Sequence, residues 1–562
     1  MKKVLFYKLD QEHYNQVSNS FRKNLNVFGL QPYNPCYTKF FTFYNNDSYQ
    51  KYIPRSKEIV YSLEKSKEID ESDNYKKYVF ESKTLTKHKS GNTIHQRTIF
   101  VKPIPLLDPI EFCKNQYRKP NHFLPNIFSW MSQKKINDTN NAAYVENLAS
   151  FLLSNITEKN ECPSFPLYYG GFVGSMNGYK YDATEEWEDL IEESWFKQSC
   201  NQKKIKIEMK ENKRFDDLFN SYETNTTEGT NGTEKTIIED EEYINQIQEL
   251  DEEIDSILSS NNIVTLNNNK QKETYIEELN ENEELNENEE LNENEELNEN
   301  EELSDIEELS DIELNADELS STESDIEKYR WIKWLNFHDF PVLLCCMETL
   351  EQTLEEYLNV KDVCENEWKG ILFQICFALA IAYRKYNFIH NDFHCSNIMM
   401  VNTEKEFLYY QVKNKYFKIP TYGKLIKIID FNRSIFKVGK QQFFSDVFKK
   451  DGDAEGQYDY PYTNNQTTSL HPPNPSFDLA RLATTLYEYV PNHSNLFTLF
   501  SEWTTDNYGN CLLEEEDSFD LYIKLSHNIK NSKPEEQLYH SIFDELLCSK
   551  EEIKNNKVYI LY

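Results

Sequence analysis

The chain has 562 residues, enough for about two to four domains, but only 38% are apolar and the formal net charge is −36. The charge is concentrated: 35 acidic and 3 basic residues between Glu234 and Glu327 carry −32 of it, so the rest is close to neutral. Low hydrophobicity with high charge predicts that this segment does not fold. The eleven scattered cysteines contain no C-x-x-C pair, which argues against a disulfide scaffold or a zinc module and for a reducing compartment. The apolar run after Met1 is too short for a secretory signal, and no run approaches the roughly 18 apolar residues of a membrane span. The expectation is a cytoplasmic protein, not secreted, with neither a membrane nor a nucleic acid as partner.

Residues 1–91 are polar and aromatic with little periodicity, and read as short strands and loops. A strand is predicted over 98–102, ended by Pro103-Ile104-Pro105. A helix is predicted over 141–153, where Ala142, Val145, Ala149 and Leu152 recur at roughly helical spacing. Aromatics before Gly170-Gly171 mark another strand over 165–173.

A long polar stretch follows and ends in a repeat. Glu-Glu-Leu-Asn-Glu-Asn recurs four times from Glu277, then gives way to two Glu-Glu-Leu-Ser-Asp-Ile variants from Glu301. One apolar residue in six fits neither the helix nor the strand period, so a solvated insertion over about 205–327, dispensable for chemistry, is expected. Ser304, Ser310 and Ser324 each stand in Ser-Asp-Ile-Glu, a pattern that acid-directed kinases read.

Order is expected to return at Trp331. The run 340–347 reads as a buried strand. The run 368–386 reads as a buried helix with Ile371, Ile375, Leu379 and Tyr383 on one face. Strands are predicted at 408–410 and 424–429 around a Tyr422-Gly423 turn. Helices are predicted over 478–490, 495–503, 520–529 and 534–547.

Two short stretches carry the chemistry: His390-Asn391-Asp392-Phe393-His394-Cys395-Ser396-Asn397 and, some forty residues later, Ile428-Ile429-Asp430-Phe431-Asn432. An Asp followed five residues on by an Asn, then an Asp closing an apolar run, supplies one carboxylate to orient an attacking hydroxyl. It also supplies an amide and a second carboxylate to hold a metal on phosphates. The order H-x-D-x-x-x-x-N … D-F resembles the catalytic loop and metal-binding motif of protein-kinase-like enzymes. A closer resemblance joins His390 to Met400, the 409–429 hairpin, Asp451-Gly452-Asp453-Ala454 and Pro473 to Asp478. These runs resemble those of serine/threonine kinases of large cytoplasmic DNA viruses, iridovirus- and mimivirus-like.

That resemblance implies an α+β, bilobal protein-kinase-like fold interrupted by the acidic insertion. Its parts would be an N-terminal extension (1–91), the first part of the small lobe (92–180), the insertion (181–327), the end of the small lobe with the hinge (328–350), and the large lobe (351–562). It implies ATP and Mg2+ as cofactors and protein substrates as partners, with basic protein surfaces for the insertion. Asp392 would be the catalytic base, with His390 and Asn397 in the catalytic loop. Asn397 and Asp430 would ligate Mg2+. Lys102 would hold the nucleotide phosphates and Glu146 would pair with it. Met347, Glu348 and Leu350 would form the adenine-binding hinge, and Asp478 would brace the catalytic loop. The implied activity is phosphoryl transfer to Ser/Thr of proteins.

The chain departs from the family pattern at five points. No G-x-G-x-x-G precedes Lys102, the nearest glycine being Gly91. Asn391 replaces the Arg before the catalytic Asp, His394 stands where Ser/Thr kinases have Lys, Asn432 replaces the Gly after Asp-Phe, and no A-P-E precedes Asp478. Two alternatives stay open: a catalytically weak pseudokinase acting as a scaffold through its acidic insertion, and a small-molecule kinase, the latter favoured by His394 and the missing A-P-E.

Overall fold

Every side chain from Phe340 to Met347 is buried, which requires a strand covered on both faces. Leu343, Cys345 and Met347 face a core shared with Tyr144, Val145 and Leu148 of the Ala142–Glu158 helix. The alternate residues Val342, Leu344 and Cys346 face a second core with Val17, Phe21 and Leu25 of the Gln11–Leu25 helix. The strand lies inside a six-stranded antiparallel sheet ordered Val27–Gln31, Tyr168–Met176, Phe340–Glu348, Gly91–Pro105, Val79–His88 and Ile59–Ser66.

The computed structural model describes residues 4–40, 49–66, 78–88, 91–114, 116–117, 124–126, 134–201, 205–211, 331–460, 471–492 and 494–561. The acidic repeat and Ser304, Ser310 and Ser324 lie outside these residues. The chain divides into one unit of Met1–Met209 with Lys333–Tyr562 and another of Lys210–Ile332, and the first holds the candidate site. It is a mixed α/β structure with several sheets.

Residues 1–91 hold more than the short strands and loops expected. His13, Val17, Phe21 and Leu25, four residues apart, form the buried stripe of a 15-residue helix. Asp10 caps its start by accepting from the His13 N–H at 2.9 Å, and Asn26 ends it in the left-handed region. Polar residues surround that stripe and a histidine occupies one of its positions, which hides the helical period in the sequence. The strand predicted at 98–102 is 15 residues long, Gly91–Pro105, because it pairs with Val79–His88 over ten positions. The stretch assigned to the insertion from 181 begins as folded structure. Leu190, Phe196 and Ile205 are buried there, in helices Trp187–Glu192 and Ser194–Asn201 and strand Ile205–Glu211.

The Glu365–Tyr386 helix is buried nearly all round, from Trp368 to Ala382, while Tyr383, expected on its inner face, is exposed. The strands expected to flank Tyr422-Gly423 do not pair with each other. Phe407–Val412 pairs with Lys415–Pro420, and Lys424–Ile428 pairs instead with Ile398–Asn402. The helix predicted at 534–547 is a four-residue turn, Pro534–Gln537, followed by a 3-10 turn, Ser541–Leu546, that the His540 ring caps. All eleven cysteines are free, and Cys345 and Cys346 are fully buried. Among the described residues no helix is long and apolar enough to cross a membrane.

Candidate functional site

Lys102 stands on the Gly91–Pro105 strand opposite Cys345. Its Nζ lies 2.6 Å from Glu146 Oε1 and 3.1 Å from Asp430 Oδ2. Glu146 comes from the second turn of the Ala142–Glu158 helix, which sits close on the sheet because residue 171 is glycine. A Cβ there would meet Asn147 Oδ1 at 1.9 Å. Burial pushes the Glu146 carboxyl up, to about 7, since the one lysine it faces is shared with Asp430. Burial alone would lower Lys102, but the charges of Asp430 and Glu146 outweigh it and hold the ammonium above its ordinary range. Burial likewise opposes ionisation of Asp430, and Lys102 reverses this, leaving its carboxyl below the usual value.

The two motifs meet through strand register. Ile398 pairs with Ile428, and the Ile429 N–H donates to the Asn397 carbonyl at 3.1 Å, so Asn397 and Asp430 emerge at the same end of one sheet. His390 is fully buried beside Phe393 and Phe431, with Nε2 donating to the Ile429 carbonyl at 2.7 Å. Burial lowers its pKa, so the ring stays neutral and reaches the site only through that bond. Asn397 Nδ2 donates to the Asp392 carbonyl at 2.8 Å and lies 2.9 Å from His394 Nε2, so the amide oxygen is the atom of this side chain that could hold a metal. Asp430 has φ 62°, a conformation unusual for a non-glycine residue that turns its carboxylate back onto Lys102.

The buried Asp478 carboxylate accepts from the backbone N–H groups of His390 and Asn391, both at 2.9 Å. Asn391 has φ 65°, and its side chain joins the Arg433 carbonyl (3.1 Å) to the Tyr458 hydroxyl (2.9 Å). Burial pushes the Asp478 carboxyl up to about 7 despite the two N–H donors. The folded chain therefore holds this proton more tightly than the unfolded chain. The stability it contributes is fully present below the ordinary value of 3.8 and is lost as pH rises through about 7. The melting temperature of the unaltered protein is expected to fall more steeply between pH 5 and 8 than that of Asp478→Asn. Equal slopes in a pH series of thermal melts would contradict this.

Met347 and Glu348 lie two and three positions along the sheet from Cys345, paired with Phe100 and Ile99. An irregularity between Cys346 and Met347 breaks the register with Tyr168–Met176 there. The Glu348 backbone N–H donates to the Leu167 carbonyl at 2.8 Å. Its carboxylate takes the Leu167 N–H at 3.0 Å and the buried Lys427 ammonium at 2.9 Å, so this side chain is occupied by the protein itself. Leu350 lies beyond the strand end, half-buried.

Several groups around the site escape sequence reading. Tyr522 donates to Asp392 Oδ1 at 3.0 Å, and Arg433 Nη1 lies 3.9 Å from the same oxygen. Asp446, fully buried, accepts from the Ala142 N–H at 3.0 Å and pairs with Lys135 at 2.5 Å and Lys449 at 3.1 Å. Arg433 alone had a local signal, standing directly after Asp430-Phe431-Asn432.

Asp430 Oδ1 and Glu146 Oε2 are buried without a hydrogen-bond partner. Among the described residues no group of three or more His, Cys, Asp or Glu is placed to hold a metal. One unpartnered carboxylate oxygen and one amide oxygen fit Mg2+, which takes few protein oxygens and completes its shell with water and phosphate.

This arrangement accords with what is found among known proteins: over part of its length the chain is similar to protein-kinase-like proteins, although no family model matches it. Serine/threonine-protein kinase haspin of Bos taurus is 31% identical over 115 residues, covering 19% of this chain and 15% of that protein. The Mus musculus haspin is 32% identical over 94 residues, 17% of this chain and 12% of that protein. The haspin homolog of Arabidopsis thaliana is 29% identical over 125 residues, 21% of each. The chain thus spans between 12% and 21% of the length of these relatives, and the similarities support a place in the protein-kinase-like superfamily.

Proposed function

We propose that the protein transfers the γ-phosphoryl group of ATP, with Mg2+, to Ser or Thr of protein substrates. The observation that carries this is Lys102 held between Glu146 and Asp430 at 2.6 and 3.1 Å, with the Asp392–Asn397 loop fastened beside Asp430. In this reading Lys102 holds the α/β-phosphates and Glu146 fixes the lysine. Asp430 and Asn397 hold the metal, which neutralises charge on the phosphate oxygens. Asp392 orients the acceptor hydroxyl and takes its proton, His390 ties the two motifs together, and Asp478 braces the loop. Met347, Glu348 and Leu350 form the adenine-facing hinge through backbone groups other than the Glu348 N–H, which the Leu167 carbonyl already takes. The bilobal division, with the small lobe ending near 350 and the acidic segment inserted into it, belongs to the same proposal. So do the likeness to kinases of large DNA viruses, the cytoplasmic location, and basic protein surfaces as partners of the insertion.

One observation favours a second reading, a catalytically weak scaffold. No glycine occurs between Gly29 and Gly91, so the sequence before Lys102 lacks the glycine-rich run whose backbone usually cradles the phosphates. The test is transfer of radiolabelled phosphate from ATP to casein and myelin basic protein in the presence of Mg2+. Label on Ser or Thr is expected. ATP binding without any transfer would select the scaffold instead, and label only on small-molecule acceptors would redirect the substrate class.

A further inference from the structure

Asp392 is the group that must receive an acceptor hydroxyl, and one of its oxygens is already taken by a hydroxyl of this chain. The Tyr522 phenol, on the Phe519–Asn528 helix, donates to Asp392 Oδ1 at 3.0 Å. Its ring lies 4.7 Å from the Arg481 guanidinium and 5.6 Å from that of Arg433, and packs on Phe477 and Phe519. Arg481 is itself held, by Asp517 at 2.9 Å and Thr484 at 2.8 Å. The phenol is therefore positioned with no help from a ligand. The Arg481 guanidinium also meets the phenol oxygen, so the protein alone fixes the hydroxyl on this carboxylate.

We infer that Tyr522 occupies the acceptor-hydroxyl position of the site and competes there with substrate. This rests on the reading of Asp392 as the base of a phosphoryl-transfer centre. A hydroxyl donor on Oδ1 takes that oxygen from a protein acceptor and from water alike, so the resting site is shielded from wasteful ATP hydrolysis. A productive acceptor has to displace the phenol. The exchange replaces one O–H···carboxylate bond by another, so an acceptor that also binds elsewhere on the protein wins, whereas isolated water does not.

The experiment compares the full-length protein with Tyr522→Phe, which keeps the ring between the two guanidiniums and deletes only the hydroxyl. ADP release from Mg·ATP without protein acceptor is expected to rise by about tenfold, the worth of one hydrogen bond to a charged group. With casein as acceptor the apparent KM is expected to fall and kcat to hold or rise. A fall in kcat with unchanged KM would overturn the inference, because the hydroxyl would then support Asp392 rather than compete at it. Transfer by the unaltered protein with no change in Tyr522→Phe would also overturn it, leaving the kinase reading intact. If both proteins bind Mg·ATP but neither transfers to casein nor hydrolyses ATP, the kinase reading itself fails and this inference with it. Turnover seen only in Tyr522→Phe would support both.

Discussion

Asp430→Ala is expected to abolish Mg2+-dependent nucleotide binding, while Asp392→Ala is expected to bind Mg·ATP almost normally and lose turnover. The two carboxylates differ in what they touch. Asp430 carries an unpartnered buried oxygen and the second contact to Lys102, so on the kinase reading its removal takes away a metal ligand. It also leaves Lys102 with Glu146 alone. Asp392 faces the Tyr522 hydroxyl instead, and on the kinase reading its loss should cost about 10²–10⁴ in kcat, the usual worth of a positioned base. Nucleotide binding measured calorimetrically with and without Mg2+, alongside single-turnover rates, separates the two effects. Turnover of Asp392→Ala equal to that of the unaltered protein would remove the assignment of this residue.

The second large effect is expected at Asp446. Its carboxylate accepts the N–H of Ala142, the first residue of the Ala142–Glu158 helix, and neutralises Lys135 and Lys449. A negative group at a helix N-terminus is favourable both for its hydrogen bond and for the dipole. Glu146 lies one turn further along the same helix, so Asp446 fixes the start of the element that presents Glu146 to Lys102. Asp446→Ala should cost about 2 kcal/mol of stability, counting the unsatisfied N–H and the half-exposed lysines left without their partner. On the kinase reading it should also lower turnover by about tenfold or more, because a shift of about an ångström at a catalytic pair is that expensive. Asp446→Glu should recover part of both losses. Turnover unaffected by Asp446→Ala, in a protein whose melting temperature has dropped, would confine the residue to a structural role.

Asp446 also marks where reading a sequence stops. The stretches His390 to Asn397 and Ile428 to Asn432 were legible because each packs several chemically distinctive residues into fewer than ten positions. Lys102 and Glu146 were legible as single residues of the right type in elements with clear strand and helix periods. Cys345 and Cys346 were legible as core because an unbroken apolar run fits only a strand covered on both faces. By contrast, Ala142 and Lys135, two of the partners of Asp446, lie 304 and 311 residues away, Tyr522 lies 130 residues from Asp392, and Lys427 lies 79 from Glu348. No periodicity links such pairs.

The sequence by itself determined the residues proposed to move a phosphoryl group, their order, and most of the strands and helices that carry them, because these depend on side-chain chemistry and on patterns a few residues long. The tertiary structure alone decided that Lys102 bridges Glu146 and Asp430, that Glu348 is occupied by Lys427, that Asp446 holds the Ala142 end of a helix, and that Tyr522 sits on Asp392. The physical reason is that hydrogen bonds and ion pairs act over about 3 Å. Which groups come that close is fixed by strand register and by the packing of whole elements.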